Sequence, residues 1–332
     1  MYLKKGEKMT TSNKQTYILL FAVAVVVIAG VAFYVGLNTS GNNTTKGIGN
    51  VSDIEVQALY EGTVQVPEIA METTLPKVSG KIMVYKANRE LSEEEIVKIA
   101  EDFGITGEPI KDLGMMFIEK EPFSISAEPS GGMITYSNDT TVPGYNNEYL
   151  EKYLPTDDDA RIIADYFLDS NNLRPRGAKY SHVNHDIGYF GDISKKQKVS
   201  ESINVWYIHE IDGVRLLTDK MYVQVGVHGL VNRMFRKWTD PEPYREYPII
   251  TPEQAVEHLK KTGIVMLGNV KAPQKATVTS VTIGYIGETQ TKKLPYLLPV
   301  YQFEGLVRGA DGTEAAFWQW IPATPELAAE LT

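Results

Sequence analysis

"ITPEQAVEHLKK", residues 250–261, reads as the start of a capped amphipathic helix. Thr251 stands three residues before Gln254, the spacing at which each side chain satisfies a free backbone N–H at a helix start. Pro252 falls at the first helical position, where its missing N–H costs nothing. Val256 and Leu259 supply an apolar face, and Glu257 can pair with Lys261 one turn on. The same opening occurs twice upstream. In "LSEEEIVKIAEDF", residues 91–103, Ser92 precedes Glu95 by three, and Ile96, Ile99, Ala100 and Phe103 fall on one side. In "LPTDDDARIIADYF", residues 154–167, Thr156 precedes Asp159 by three, and Ala160, Ile163, Ala164 and Phe167 follow at helical spacing. Acidic first turns complement the helix dipole in each case.

Strand-rich text follows each helix. The clearest is "SINVWYIHEIDGVRLLTDKMYVQVGVHGLVNRMFRKW", residues 202–238. Asp212-Gly213 predicts a hairpin turn, because both positions tolerate positive φ. Met221, Val223, Val225 and Val227 alternate onto one face, and His228-Gly229 marks a second turn. After the third helix come "ATVTSVTIGYIG", "LPYLLPVYQFEGLV" and "EAAFWQWIPA", with Asp311-Gly312 turning between the last two. Pro295 and Pro299 predict that the penultimate strand lies at an edge or bulges. The expected fold is α+β: three units, residues 56–150, 151–245 and 246–332, each a capped helix laid on a short antiparallel sheet.

The chain of 332 residues suits two or three modules, and the first 55 differ from the rest. Residues 17–36, "YILLFAVAVVVIAGVAFYVG", carry no charge and are long enough to cross a bilayer as a helix. Lys4, Lys5, Lys8 and Lys14 precede them against Glu7 alone, and the next basic residue is Lys46. Positive charge stays inside, so residues 1–16 are expected to be cytoplasmic and the body extracytoplasmic, on an uncleaved single-pass anchor at the cell membrane. Residues 37–55 are rich in Asn, Thr, Ser and Gly and read as a flexible stalk. They hold glycosylation sequons at Asn38, Asn42, Asn43 and Asn50, with a fifth at Asn138. There is no cysteine, which excludes disulfides, thiolate metal sites and a lipid-modified cysteine anchor. Setting aside residues 1–36 removes four lysines and one glutamate and leaves 29 basic against 41 acidic groups, a net charge of −12. Such a surface repels phosphate backbones, so nucleic acid is not an expected partner.

The third unit, with "ITPEQAVEHL", strands and then "YLLPVYQFEG", resembles PepSY-like modules and the YycH/YycI type of extracytoplasmic regulator. The second unit's strand, "-DGV-" turn, long strand and return resemble the same modules, and together the likeness covers about residues 150–322. The resemblance implies a single-span protein whose helix-on-sheet units contact a protein or peptide and regulate a membrane sensor or a protease. It supplies no catalytic residues. The sequon-rich stalk departs from that pattern.

Candidate chemistry is sparse. "HVNHD" sets His182 and His185 three apart with Asp186 adjacent. On a helical turn that spacing shares a metal, but Gly177 and Gly188 indicate loop or strand, where it fits less well. "HEIDG" at His209 lacks the second histidine of a zincin motif, since Gly213 stands there. The acidic triplets Glu93–Glu95 and Asp157–Asp159 are explained by their helix starts rather than by calcium. No nucleophile elbow, P-loop or dinucleotide fingerprint is present, so neither enzymatic activity nor a cofactor is expected. Trp206, Trp238, Trp318 and Trp320 lie in strand-rich text. Buried sheet aromatics are the structural reading; an exposed aromatic edge would receive a peptide as an added strand. The function expected is a membrane-anchored protein- or peptide-interaction module. The alternatives are a structural envelope component on a glycosylated stalk, and an enzyme of unrecognised type.

Overall fold

The three helix starts form as the spacing predicts. In α1 (Glu93–Asp102) the Ser92 hydroxyl accepts from Glu95 N at 3.2 Å, and Glu95 Oε2 accepts from Ser92 N at 2.7 Å. A short helix, α2 (Asn147–Tyr153), precedes α3 (Asp157–Ser170), where Thr156 accepts from Asp159 N. In α4 (Pro252–Thr262) Thr251 and Gln254 form the reciprocal box, with Pro252 in the first turn. The computed structural model describes residues 62–140, 147–190, 197–289 and 293–326. They fall within one compact unit, Asn50–Thr332; the other unit, Met1–Gly49, lies outside the described residues.

What the helices cover differs from expectation. The described strands form one fifteen-stranded sheet. Its first half contains β3 (Ile110–Asp112), β4 (Met115–Lys120), β5 (Phe123–Glu128), β6 (Met133–Asn138), β7 (Ala178–Phe190), β8 (Gln197–Ile211), β9 (Val214–Val225) and β10 (Val231–Lys237). They run antiparallel in the order β7-β8-β9-β10-β6-β5-β4-β3. Both α1 and α3 lie on this half. Ile96 and Ala100 of α1 share one core with Ala160 and Ala164 of α3, Val205 of β8 and Val223 of β9.

The second half contains β2 (Lys81–Asn88), β11 (Asp240–Pro248), β13 (Pro273–Glu288) and β14 (Lys293–Gly309), in the order β11-β2-β14-β13. Here β15 (Glu314–Pro322) pairs with β14, β1 (Glu68–Met71) with β13, and β12 (Val265–Met266) with β15. Ala255 and Leu259 of α4 bury against Tyr301, Phe303 and Phe317. The halves join where β13 meets β9 in parallel, at Gly284–Arg215 and Tyr285–Leu216.

The expectation of three helix-on-sheet, PepSY-like units is therefore corrected: the architecture is a β-rich continuous sheet. The physical reason is non-local pairing. β2 precedes α1 in sequence yet pairs with β11 and β14, while the strands after α1 join those after α3. Of the two readings of the β14 prolines, the edge fails and the bulge holds: the register with β13 shifts between Lys293 and Leu298, around Pro295. Pro295 flanks Tyr296, where β14 meets β2, and Pro299 immediately precedes Val300, where β15 takes over the same strand.

No helix among the described residues is long and apolar enough to cross a membrane. The single-pass membrane localisation is thus not carried by the described structure and is set aside. Its expected span, residues 17–36, and the stalk with Asn38, Asn42, Asn43 and Asn50 lie outside the described residues.

Two turns behave as read. Asp212 and Gly213 take φ 49° and 83° between β8 and β9, and His228 and Gly229 take φ 57° and 72° before β10. The first adopts the mirror-image turn that matches the twist of paired strands.

Candidate functional site

Among the described residues, α1 and α3 cover one face of the first half-sheet, and neither lies on its opposite, open face. Strand alternation sends Val205, Val223 and Met234 into the core, and Trp206, Tyr222 and Phe235 to the other side. Cross-strand register lines these up as His182–Trp206–Tyr222–Phe235. The rings touch in sequence: His182 on Trp206 at 6.1 Å, Trp206 on Tyr222 at 4.9 Å and Tyr222 on Phe235 at 5.7 Å. The row is half-buried by its own packing, apart from His182, which is exposed. Beside it runs a polar row, Asn184–Asn204–Gln224–Arg233–Ser137.

The edges of the sheet differ sharply. β11 carries Pro241, Pro243 and Pro248, which cannot donate to an added strand. β1, β3 and β12 are four, three and two residues long. β7 is thirteen residues long, contains no proline, and pairs only with β8 among the described residues. Register shifts between Tyr180 and His182 and between Asp186 and Ile187 bound a regular stretch from His182 to Asp186. Such an edge presents a row of unpaired N–H and C=O groups.

α3 forms a wall beside this edge. Asp157 Oδ1 accepts from His185 Nε2 at 2.8 Å, and the Arg161 guanidinium lies 4.1 Å from the ring centre of Tyr180. The helix is fastened to β8 by Asp165, which accepts from Tyr207 Oη at 2.9 Å and from Arg174 Nη2 at 2.7 Å. Burial, with the Asp165 charge second, raises the Tyr207 pKa, so the phenol stays a donor.

The sequence-identified residues fall into this region but do not converge. His182 and His185 are three apart on a strand, so they face opposite sides of the sheet. His182 stacks on Trp206, while His185 bonds Asp157 and Ser200 on the helix side. Asp186 lies on the open side, accepting from Ser202 Oγ at 3.0 Å, Asn204 Nδ2 at 2.8 Å and Gln224 Nε2 at 2.6 Å. No group of three or more metal-ligating side chains is present among the described residues. Glu93 pairs with Lys111 at 2.5 Å, consistent with its role at a helix start. Asn138 is held at both ends of its amide, donating to Val231 O at 3.3 Å and accepting from Thr140 N at 3.1 Å. In the second half, Phe317 and Ile321 face the core under α4, and Trp318 packs on Trp320 at 4.6 Å on the other side.

Sequence reasoning missed a buried polar network between the two halves. Asp219 of β9 accepts from His209 Nδ1 at 2.9 Å, Thr239 N at 2.6 Å and Thr239 Oγ1 at 2.9 Å. Arg89, just past β2, donates from Nε to Thr239 Oγ1 at 2.8 Å. All four residues are buried, and Trp238 stacks on His209 at 4.3 Å. Burial lowers the Arg89 pKa, and the charges of Asp219 and Glu288 oppose that shift. The only sequence mark was His209 itself.

No family model matches this chain, and no curated protein matches it. Among solved structures, an uncharacterized protein from Eubacterium rectale is similar over 83% of this chain and 97% of its own, at 12% identity and a TM-score of 0.46.

Proposed function

We propose that this protein is an interaction module that binds an extended peptide by adding it as a strand to the outer edge of β7. The observation that carries this reading is the contrast between edges: β11 is blocked by three prolines, and β7 is long, proline-free and, among the described residues, paired on one side only. In such recognition the backbone bonds supply affinity, and alternate side chains supply specificity. Here one set of peptide side chains would meet Tyr180, Arg161 and the Asp157–His185 pair beside α3. The other set would meet His182 and Trp206 on the open face.

The test is selection of a random-peptide display library on the full chain, followed by a proline scan at Val183, Asn184 and His185. Neighbouring N–H groups along a strand point to opposite edges. Prolines whose N–H faced outward should leave the melting temperature unchanged and weaken selected peptides about tenfold, the effect of one lost backbone bond. Prolines whose N–H faced β8 should destabilise the fold. If no peptide is enriched, or if selected peptides bind every folded variant equally, the reading is wrong.

A further inference from the structure

We propose that the β7 edge selects a peptide carrying lysine or arginine where it passes Asp186; this rests on the strand-addition reading above. A carboxylate has about four acceptor positions. Asp186 fills three of them from neutral donors, the Ser202 hydroxyl and the amides of Asn204 and Gln224. No cation meets it among the described residues. Arg233 stands on the same face but lies across Gln224, beyond Asn204 in the row.

A second feature of the same cluster points the same way. Asn204 is 5% exposed, its Nδ2 is spent on Asp186, and its Oδ1 has no hydrogen-bond donor. Buried acceptors are nearly always satisfied, by a protein group, a ligand or water, so this one has room for a donor. The cluster thus holds a carboxylate on β7, whose outer edge meets no described strand, and an unfilled acceptor one strand further in, on β8.

Geometry connects the two features to a bound peptide. A residue placed opposite Asp186 on an added strand shares its face, with Cβ atoms about 5 Å apart. A lysine or arginine stem spans that distance and brings its donors to the carboxylate. Lysine and arginine carry several N–H donors and no acceptor, which suits a pair of acceptors. A metal ion does not fit as well, because one carboxylate and one amide fall short of the six to eight oxygens a hard cation such as calcium takes (about that number). The net charge of −12 beyond residue 36 favours approach of a basic segment.

The experiment uses peptides already shown by the proline scan to bind at β7. Within one such peptide, the basic position is replaced by leucine or glutamate and affinity is measured by calorimetry against the full chain and its Asp186→Asn variant. The expected result is a loss of about tenfold for leucine, more for glutamate, and a smaller lysine preference with Asp186→Asn. Added salt should weaken the lysine peptide and leave the leucine peptide unchanged. If Asp186→Asn does not fold, the peptide series and the salt dependence on the wild-type chain decide the matter. A peptide that binds at β7 yet tolerates leucine or glutamate with less than a twofold change overturns this inference while leaving strand addition standing. Absence of any peptide binding at β7 overturns strand addition itself.

Discussion

Replacing Asp219 by alanine should be among the most damaging single changes in the chain. A carboxylate only accepts, so its removal strands the His209 Nδ1–H, the Thr239 N–H and the Thr239 hydroxyl together. It also deprives the buried Arg89 guanidinium of one of the two acidic charges that oppose its desolvation. Each stranded donor in a dry site costs about 1–3 kcal/mol, and breaking a buried charge cluster from one side costs about 3–5 kcal/mol. These terms overlap, since the groups form one network, so the expected loss is about 4 kcal/mol. That is a large share of a total stability of about 5–15 kcal/mol. Urea unfolding followed by far-UV circular dichroism measures it as a lower midpoint. A second variant, Arg89→Met, removes the cation from the same network, and the double variant Asp219→Ala/Arg89→Met should lose less than the sum of the two. A loss below about 1 kcal/mol for Asp219→Ala would mean that the network is solvated and does not fasten the two half-sheets, which refutes the reasoning.

Alkaline stability should fall between about pH 10 and 12. Burial pushes the pKa values of Tyr136 and Tyr301 up to about 12 and raises those of Tyr207 and Tyr285 further. An unfolded tyrosine titrates near 10, so the native state keeps protons that the unfolded state has lost. Stability is therefore complete below pH 10 and declines as pH rises towards the folded values, by up to about 1.4 kcal/mol per pH unit for each tyrosine. Urea midpoints that stay level from pH 9 to 12 would contradict this. Thr251→Ala should remove the α4 cap and cost about 1 kcal/mol, read as a lower urea midpoint; no change would mean that the box does not contribute.

What was legible in the sequence was local. The capping residues Ser92, Thr156 and Thr251 act within a few residues of themselves, and so do the Asp212-Gly213 and His228-Gly229 turns. The alternation of Met221, Val223 and Val225 likewise named a buried face, but Val227, read with them, follows the strand in a turn and packs on Leu150 and Val199. What failed was the step from elements to architecture. Nothing in "KIMVYKAN" tells β2 to leave the neighbourhood of α1 and pair with Pro241–Pro248 and Tyr296. Pairing is decided by which apolar faces meet in three dimensions, and a helix that reads as one unit's cover can share a sheet with another.

The candidate site was half legible for the same reason. Asp186 and the two histidines attracted notice as a metal motif, yet their importance lies in strand position: one side for His182 and Asp186, the other for His185. The open edge of β7 could not be read, because Gly177 and Gly188 left its structure undecided and only the pairing shows which described strands lack a neighbour on one side. The network of Arg89, His209, Asp219 and Thr239 spans 150 residues between Arg89 and Thr239 and has no local spacing to announce it.

Amide hydrogen exchange on the full chain, with and without a selected peptide, tests strand addition most directly. In the free protein, alternate amides between His182 and Asp186 should exchange rapidly because they face solvent, while their neighbours bonded to β8 are protected. Saturating peptide should slow those rapid amides and leave β11 unchanged. Protection that arises elsewhere, with the rapid β7 amides unaltered, would contradict the account.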